Sequence, residues 1–90
     1  MEQKSELAKI LMVGAELLTA DRSAKYLCDH VGVSRATVMR YLGELRHLGC
    51  QIVSRRDASG SLYRLENGAA CADRLRRWLE LELSRSVVSA

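Results

Sequence analysis

Residues 26–48, YLCDHVGVSRATVMRYLGELRHL, decide how this chain is read. They describe two short helices joined by a tight turn. Leu27, Val31, Val33, Val38, Leu42 and Leu45 supply the apolar positions, and Gly32 sits where the backbone must turn between helices without a Cβ in the way. Ser34 stands at the N-cap of the second helix, where its hydroxyl can accept a bond from a free backbone N–H. From that cap Val38, Leu42, Leu45 and Leu48 fall at helical spacing and face inward. Arg35, Ala36, Thr37, Arg40 and Tyr41 are left outward or to the side. Cys28 occupies the slot where crossing helices need a small side chain, and a free thiol there behaves as a small hydrophobe.

Upstream, Thr19 to Arg22 breaks the chain, and Ser23 is the expected N-cap of a helix over Ala24–His30. Arg22, Ser23 and Lys25 lie at its N-terminal end, where free N–H groups and the positive dipole end favour a phosphate; an ordinary capped helix would look the same. A first helix is expected over Gln3–Leu18, with Leu7, Ile10, Leu11, Gly14, Leu17 and Leu18 on one buried face. Gly14 on that face costs roughly 1 kcal/mol of helix propensity, so close packing by a neighbouring helix is the expected compensation.

Downstream, Gly49 is placed to end the second helix of the pair as a left-handed residue. The hydropathy period then changes. Gln51–Ser54 and Leu62–Leu65 read as two short strands, and the polar, glycine-containing run Arg55-Arg56-Asp57-Ala58-Ser59-Gly60-Ser61 reads as the tip of a β-hairpin. Ile52, Leu62 and Leu65 can cover the helices while Arg55, Arg56 and the tip reach outward. A capped helix with a basic face, a helix crossing before it and a basic hairpin after it form the layout of a winged helix-turn-helix. In that layout the second helix presents its N-terminal residues to base edges.

The run VSRATVMRYLGELRHLGCQIVSRRDASGSLYRLENG resembles the N-terminal domain of DeoR-like bacterial regulators, particularly those with a WYL ligand domain. Val33, Ser34, Thr37, Val38, Arg40, Leu42, Leu45, Gly49, Ile52, Gly60, Tyr63 and Leu65 fall in order on that family's pattern, over roughly residues 5 to 66. The resemblance implies that helix 34–48 enters the major groove and that wing 53–63 lies along the backbone or in the minor groove. It gives Ser34, Arg35, Thr37 and Arg40 the contacting role and Arg55, Arg56 and Ser61 the wing role. Tyr41 departs from it, standing where the family usually has Asp; its ring can meet sugar or a thymine methyl group, or pack at the edge of the core.

The tail departs further. Relatives that sense a metabolite continue into a large second domain, whereas a single helix, about Ala70 to Ser86, is expected here. Cys71, Leu75, Trp78, Leu79 and Leu83, with Leu81 to one side, give it an apolar face. Leu75, Trp78, Leu79 and Leu83 are the candidate homodimer surface; the alternative is that the helix folds back on its own domain. The expected division is residues 1–66 as the winged domain and 67–90 as the dimerisation element.

Ninety residues, 48% apolar and 28% charged, make one globular domain with a modest core. The N-terminus lacks the apolar core of a signal peptide, and no run is long enough to span a bilayer, so the chain is read as cytoplasmic. Cys28, Cys50 and Cys71, with His30 and His47, form no metal or redox spacing. No acid pair, nucleophile set or phosphate-cradling loop is present, so no enzyme, cofactor, metal or small-molecule ligand is implied. The net charge is +3, yet residues 22–64 hold eight bases (Arg22, Lys25, Arg35, Arg40, Arg46, Arg55, Arg56, Arg64) against three acids (Asp29, Glu44, Asp57). That positive centre between near-neutral or acidic flanks is the footprint of a polyanion partner. The resulting expectation is a sequence-specific regulator that binds double-stranded DNA as a homodimer, through Ser23, Lys25, Ser34, Arg35, Ala36, Thr37, Arg40, Tyr41, Arg55, Arg56, Ser59 and Ser61. The alternatives are a protein-docking winged helix and an architectural, plasmid-partition or excision DNA-binding protein.

Overall fold

Three serines begin the first three helices, each by the same bond. The side chains of Ser5, Ser23 and Ser34 accept from the backbone N–H of Ala8, Tyr26 and Thr37 at 3.0, 3.1 and 3.2 Å, which satisfies one of the otherwise free donors at each helix start. The helices they cap are α1 (Glu6–Thr19), α2 (Ala24–Val31) and α3 (Arg35–His47). A computed structural model describes residues 5–58 and 60–87. Gln3, Lys4 and Ser59, on which expectations fell, lie outside the described residues. A two-residue strand β1 (Arg22–Ser23) precedes α2; β2 (Ile52–Asp57), β3 (Gly60–Leu65) and α4 (Gly68–Val87) complete the chain.

The turns follow the glycines. Gly32 closes α2 at φ 79°, its N–H donating to the Cys28 carbonyl at 2.7 Å. At the end of α3, Gly49 has φ 103°. Its N–H reaches the Arg46 carbonyl at 3.1 Å, and that of Cys50 reaches Leu45 at 3.0 Å, the pairing of a Schellman end. The chain leaves this turn at an angle that only a residue without a Cβ adopts cheaply.

The sheet is antiparallel in the order β1-β3-β2, with Arg22 opposite Tyr63 and Ile52 opposite Leu65. Strand β1 was not expected, because two residues before a helix carry no alternation to read. The hairpin is also tighter than expected. Pairing continues to Asp57 opposite Gly60, leaving a two-residue loop, so Arg55 and Arg56 belong to β2 and not to the tip. The architecture is mainly α with a small β-hairpin, a winged helix followed by a further helix.

One core joins all of this. Leu11, Leu27, Val38, Leu42 and Leu45 from α1, α2 and α3 meet Ile52, Tyr63 and Leu65 from the sheet, with Cys71 and Leu75 from α4. Gly14 performs the role its cost implied: a Cβ there would stand 3.1 Å from a Leu45 methyl and 3.3 Å from a Leu75 methyl. The glycine therefore lets α3 and α4 close against α1. Leu7 is a correction, since it lies outside this face and is 42% exposed; Ala8 and Val13, not expected on it, are buried, and Leu18 is only partly so. Leu75, expected on an intersubunit surface, is 1% exposed inside its own subunit. Asn67 locks the junction before α4: its Oδ1 accepts from the Gln51 N–H and its Nδ2 donates to the Gly49 carbonyl, both at 2.9 Å.

Candidate nucleic-acid interface

Arg35 begins α3 one residue after its cap, and the register of the hairpin brings the start of β3 beside it. Ser23, Ala24, Lys25, Arg35, Gly60 and Ser61 line one shallow cleft of about 140 Å³. Four of the expected contact residues, drawn from α2, α3 and the wing, are thus brought together although they span nearly forty positions. Two helix N-termini open near this cleft, and with Lys25 and Arg35 at its rim it is chemically suited to an anion. Lys25 is exposed and pairs with Asp29 one turn on at 3.0 Å, a surface contact of little energy that a phosphate can displace.

The outward face of α3 follows from its buried one. Val38, Leu42 and Leu45 point into the core, so Ala36, Arg40, Gly43 and His47, at steps of three or four, form the strip farthest from it. Ala36, Arg40 and His47 are exposed, and nothing lies within 4 Å of where a Cβ on Gly43 would stand. Gly43 and His47 were overlooked by sequence reasoning, although the period that turns Ala36 and Arg40 outward includes them. Tyr41 lies on the other side. It is 3% exposed, so its ring fills the core beside Val38 and Leu42, and that correction takes it out of the contact set. Ser34 and Thr37 stay at the surface but are tied to each other, Oγ to Oγ1 at 3.0 Å, within the cap.

The basic residues are unequally engaged. Arg22 packs over the Tyr26 ring at 4.4 Å and pairs with Glu16 at 3.3 Å. Glu16 also accepts from the Tyr26 hydroxyl at 2.8 Å and faces His30 at 3.3 Å. Arg22 therefore joins α1 to α2, and the expectation that it meets a phosphate from the start of α2 is corrected. Arg46 donates from Nε and Nη2 to the Ile52 carbonyl at 3.2 and 3.1 Å, fastening α3 to β2. Arg55 reaches Asp21 at 3.4 Å. Arg40 pairs with Glu6 at the start of α1, and that guanidinium, hydrogen-bonded to it, holds the Glu6 carboxyl below its usual pKa. Among the described residues Arg35, Arg56 and Arg64 have no ion-pair partner.

The wing is held in register with α3 by the Tyr63 hydroxyl, which donates to the Met39 sulfur at 3.5 Å. Because Arg55 faces Leu62 across the ladder and Arg56 faces Ser61, consecutive side chains emerge on opposite faces of the hairpin. Ser61, which lines the cleft, shares its face with Arg56. The cysteines serve packing: burial against the Cys71 thiol pushes Cys50 up to about 11, which keeps it a protonated, apolar filler. Among the described residues no cluster of side chains has the make-up to hold a metal ion, and no helix is long and apolar enough to cross a membrane.

A family model described as an HTH domain matches residues 7–60, from the first turn of α1 to the start of β3. No curated protein and no solved structure matches the chain.

Proposed function

Since the chain belongs to the HTH domain family and is a DNA-binding helix-turn-helix protein, we propose that it is a sequence-specific transcription regulator that grips duplex DNA with α3 and the wing together. In this reading α3 lies in the major groove. Arg40, with Ala36, Gly43 and His47 on the same strip, meets base edges, and Arg35 sits at the edge of the groove. The cleft formed by Ser23, Lys25, Arg35 and Ser61 takes a backbone phosphate, and Arg56 on the wing adds attraction that does not depend on sequence. The observation that carries the reading is the convergence of α2, α3 and β3 on that one cleft, where cationic side chains gather at two helix N-termini as an anionic partner requires.

We infer further that two copies act together on a palindromic site, as one winged helix makes few base contacts. The surface left for pairing is smaller than the sequence implied. Cys71 and Leu75 are buried in the subunit, while Leu7 and Leu81 are 42% and 57% exposed and share an apolar groove with the half-buried Trp78. The resemblance to DeoR-like regulators supports the docking mode. Selection of bound sequences from a random duplex pool tests both points, since a palindromic winner is expected. Recovery of sequences without a shared motif would refute sequence-specific binding, and light scattering that shows only monomer on the selected duplex would refute pairing.

A further inference from the structure

The Arg40 guanidinium is the one cation in the outermost strip of α3, and it is not free. Thirty-four positions earlier, Glu6 reaches across from the first turn of α1 and pairs with it. Both side chains are about half exposed, 54% for Arg40 and 55% for Glu6, so the pair stands at the rim of the surface that faces DNA and not within the core. Nothing in the fold needs it there: α1 is already capped by Ser5 and seated through Leu11, Gly14 and Leu17. A solvent-exposed pair of this kind adds little to stability, but it sets the charge that an approaching duplex meets. Arg40 is also stacked near the Tyr41 ring, 5.3 Å from its centroid, which leaves its head restricted as well as neutralised.

We propose that Glu6 is a specificity-determining residue: it keeps Arg40 from phosphates in general and releases it only where a base edge offers better than a single charge contact. The inference rests on the reading that α3 faces the duplex. A phosphate competes with the Glu6 carboxylate on equal terms, one anion for another, and leaves that carboxylate repelling the backbone. A guanine edge presents two acceptors in the plane of the guanidinium and, unlike a phosphate, carries no net charge for the freed carboxylate to repel, so a bidentate contact there offsets the lost pair without that cost. Glu6 would therefore weaken binding to unrelated sequences more than binding to the correct one.

The test uses the full chain and three variants, Glu6→Gln, Arg40→Ala and the double change, each bound to the selected duplex and to a scrambled one over a range of salt. Glu6→Gln keeps a good helix former in the first turn, and circular dichroism with thermal melting checks that it folds as the original does. The expected result is binding to the scrambled duplex roughly two- to five-fold tighter, a smaller gain on the selected one, and a salt slope steeper by about 0.9 on the scrambled duplex. In the Arg40→Ala background the change at Glu6 should give a clearly smaller gain, of similar size on both duplexes, from the lost repulsion alone. Unchanged or weaker binding by Glu6→Gln would overturn the proposal, as would a gain of equal size with and without Arg40, which would reflect bulk charge alone. Arg35→Ala serves as the separate control: if it binds both duplexes as the original does, the DNA-facing assignment of α3 is itself at fault, whatever Glu6 does.

Discussion

Replacing Leu75 with Ala asks whether α4 belongs to the fold or to an interface. Leu75 is 1% exposed, and its two methyl carbons lie 3.3 and 3.4 Å from where a Cβ on Gly14 would stand. The groove on α1 that accepts it exists only because residue 14 is glycine, so little can slide in to fill the space. Truncating a leucine at such a site costs about 2–5 kcal/mol. For a domain of this size each kcal/mol moves the melting temperature by roughly 4–8 °C, so a loss of at least about 8 °C is expected, large against a total stability of about 5–15 kcal/mol. Leu81→Ala, at a residue 57% exposed, is the comparison and should stay within about 0.5 kcal/mol at dilutions where the chain is monomeric. Melting followed by circular dichroism at two protein concentrations tenfold apart gives the answer. If α4 is part of one core, the drop caused by Leu75→Ala is the same at both. A drop that disappears on dilution would move Leu75 to a subunit boundary and refute the packing described here; a shift under 2 °C would refute it at any concentration.

The wing supplies a second expectation. Arg56→Ala should lower the magnitude of the DNA salt slope by about 0.9 on any sequence, while Arg55→Ala should change it less, because Asp21 already partners Arg55 at 3.4 Å. Equal effects would mean that the two faces of the hairpin meet the duplex alike. Gly49→Ala should cost about 1–2 kcal/mol in urea unfolding, with the slope of the transition unchanged, since φ is 103° and the nearest atoms a Cβ would meet belong to the flexible Arg74 head, at 3.6 Å. A neutral result would show that the turn after α3 relaxes. Ser34→Ala should remove about 1 kcal/mol through loss of the α3 cap, and the same change made together with Thr37→Ala should be less than additive, given the 3.0 Å contact between their hydroxyls.

The parts of this molecule legible in the sequence are those whose causes are local. Ser23 and Ser34 cap, Gly32 and Gly49 turn, and Val38, Leu42 and Leu45 repeat at helical spacing; each acts within one turn of itself, and each was placed. Gly14 was legible for a different reason, because a cost without a local benefit implies a neighbour. The misread residues answer to distant partners. Tyr41 leaves two readings open, DNA contact or the edge of the core, and only the folded chain, in which it is 3% exposed, decides for the core. Arg55 and Arg56 read as loop until the ladder runs on to Gly60. Strand β1 exists only because β3 lies beside it, and Leu7 keeps the period of α1 yet falls beyond the edge of what α4 covers.

The same distinction governs the charge. A count along the chain finds bases in the middle and acids in the flanks, and treats the middle as the interface. Folding lays one flank over the middle: Glu6, Glu16 and Asp21, all from the first segment, pair with Arg40, Arg22 and Arg55, while Arg46 is used up on a backbone carbonyl. The positive field that reaches a duplex is therefore carried mainly by Arg35 and the weakly held Lys25, which line the cleft, by Arg56 on the wing and by Arg64 on the sheet. Such a surface attracts DNA only moderately at long range, and moderate attraction lets base contacts decide where the protein stays, because affinity supplied by phosphates is shared by every sequence. The acidic start of the chain, which in one dimension looks like a bystander to the basic centre, thus becomes the element that sets how far charge can substitute for recognition.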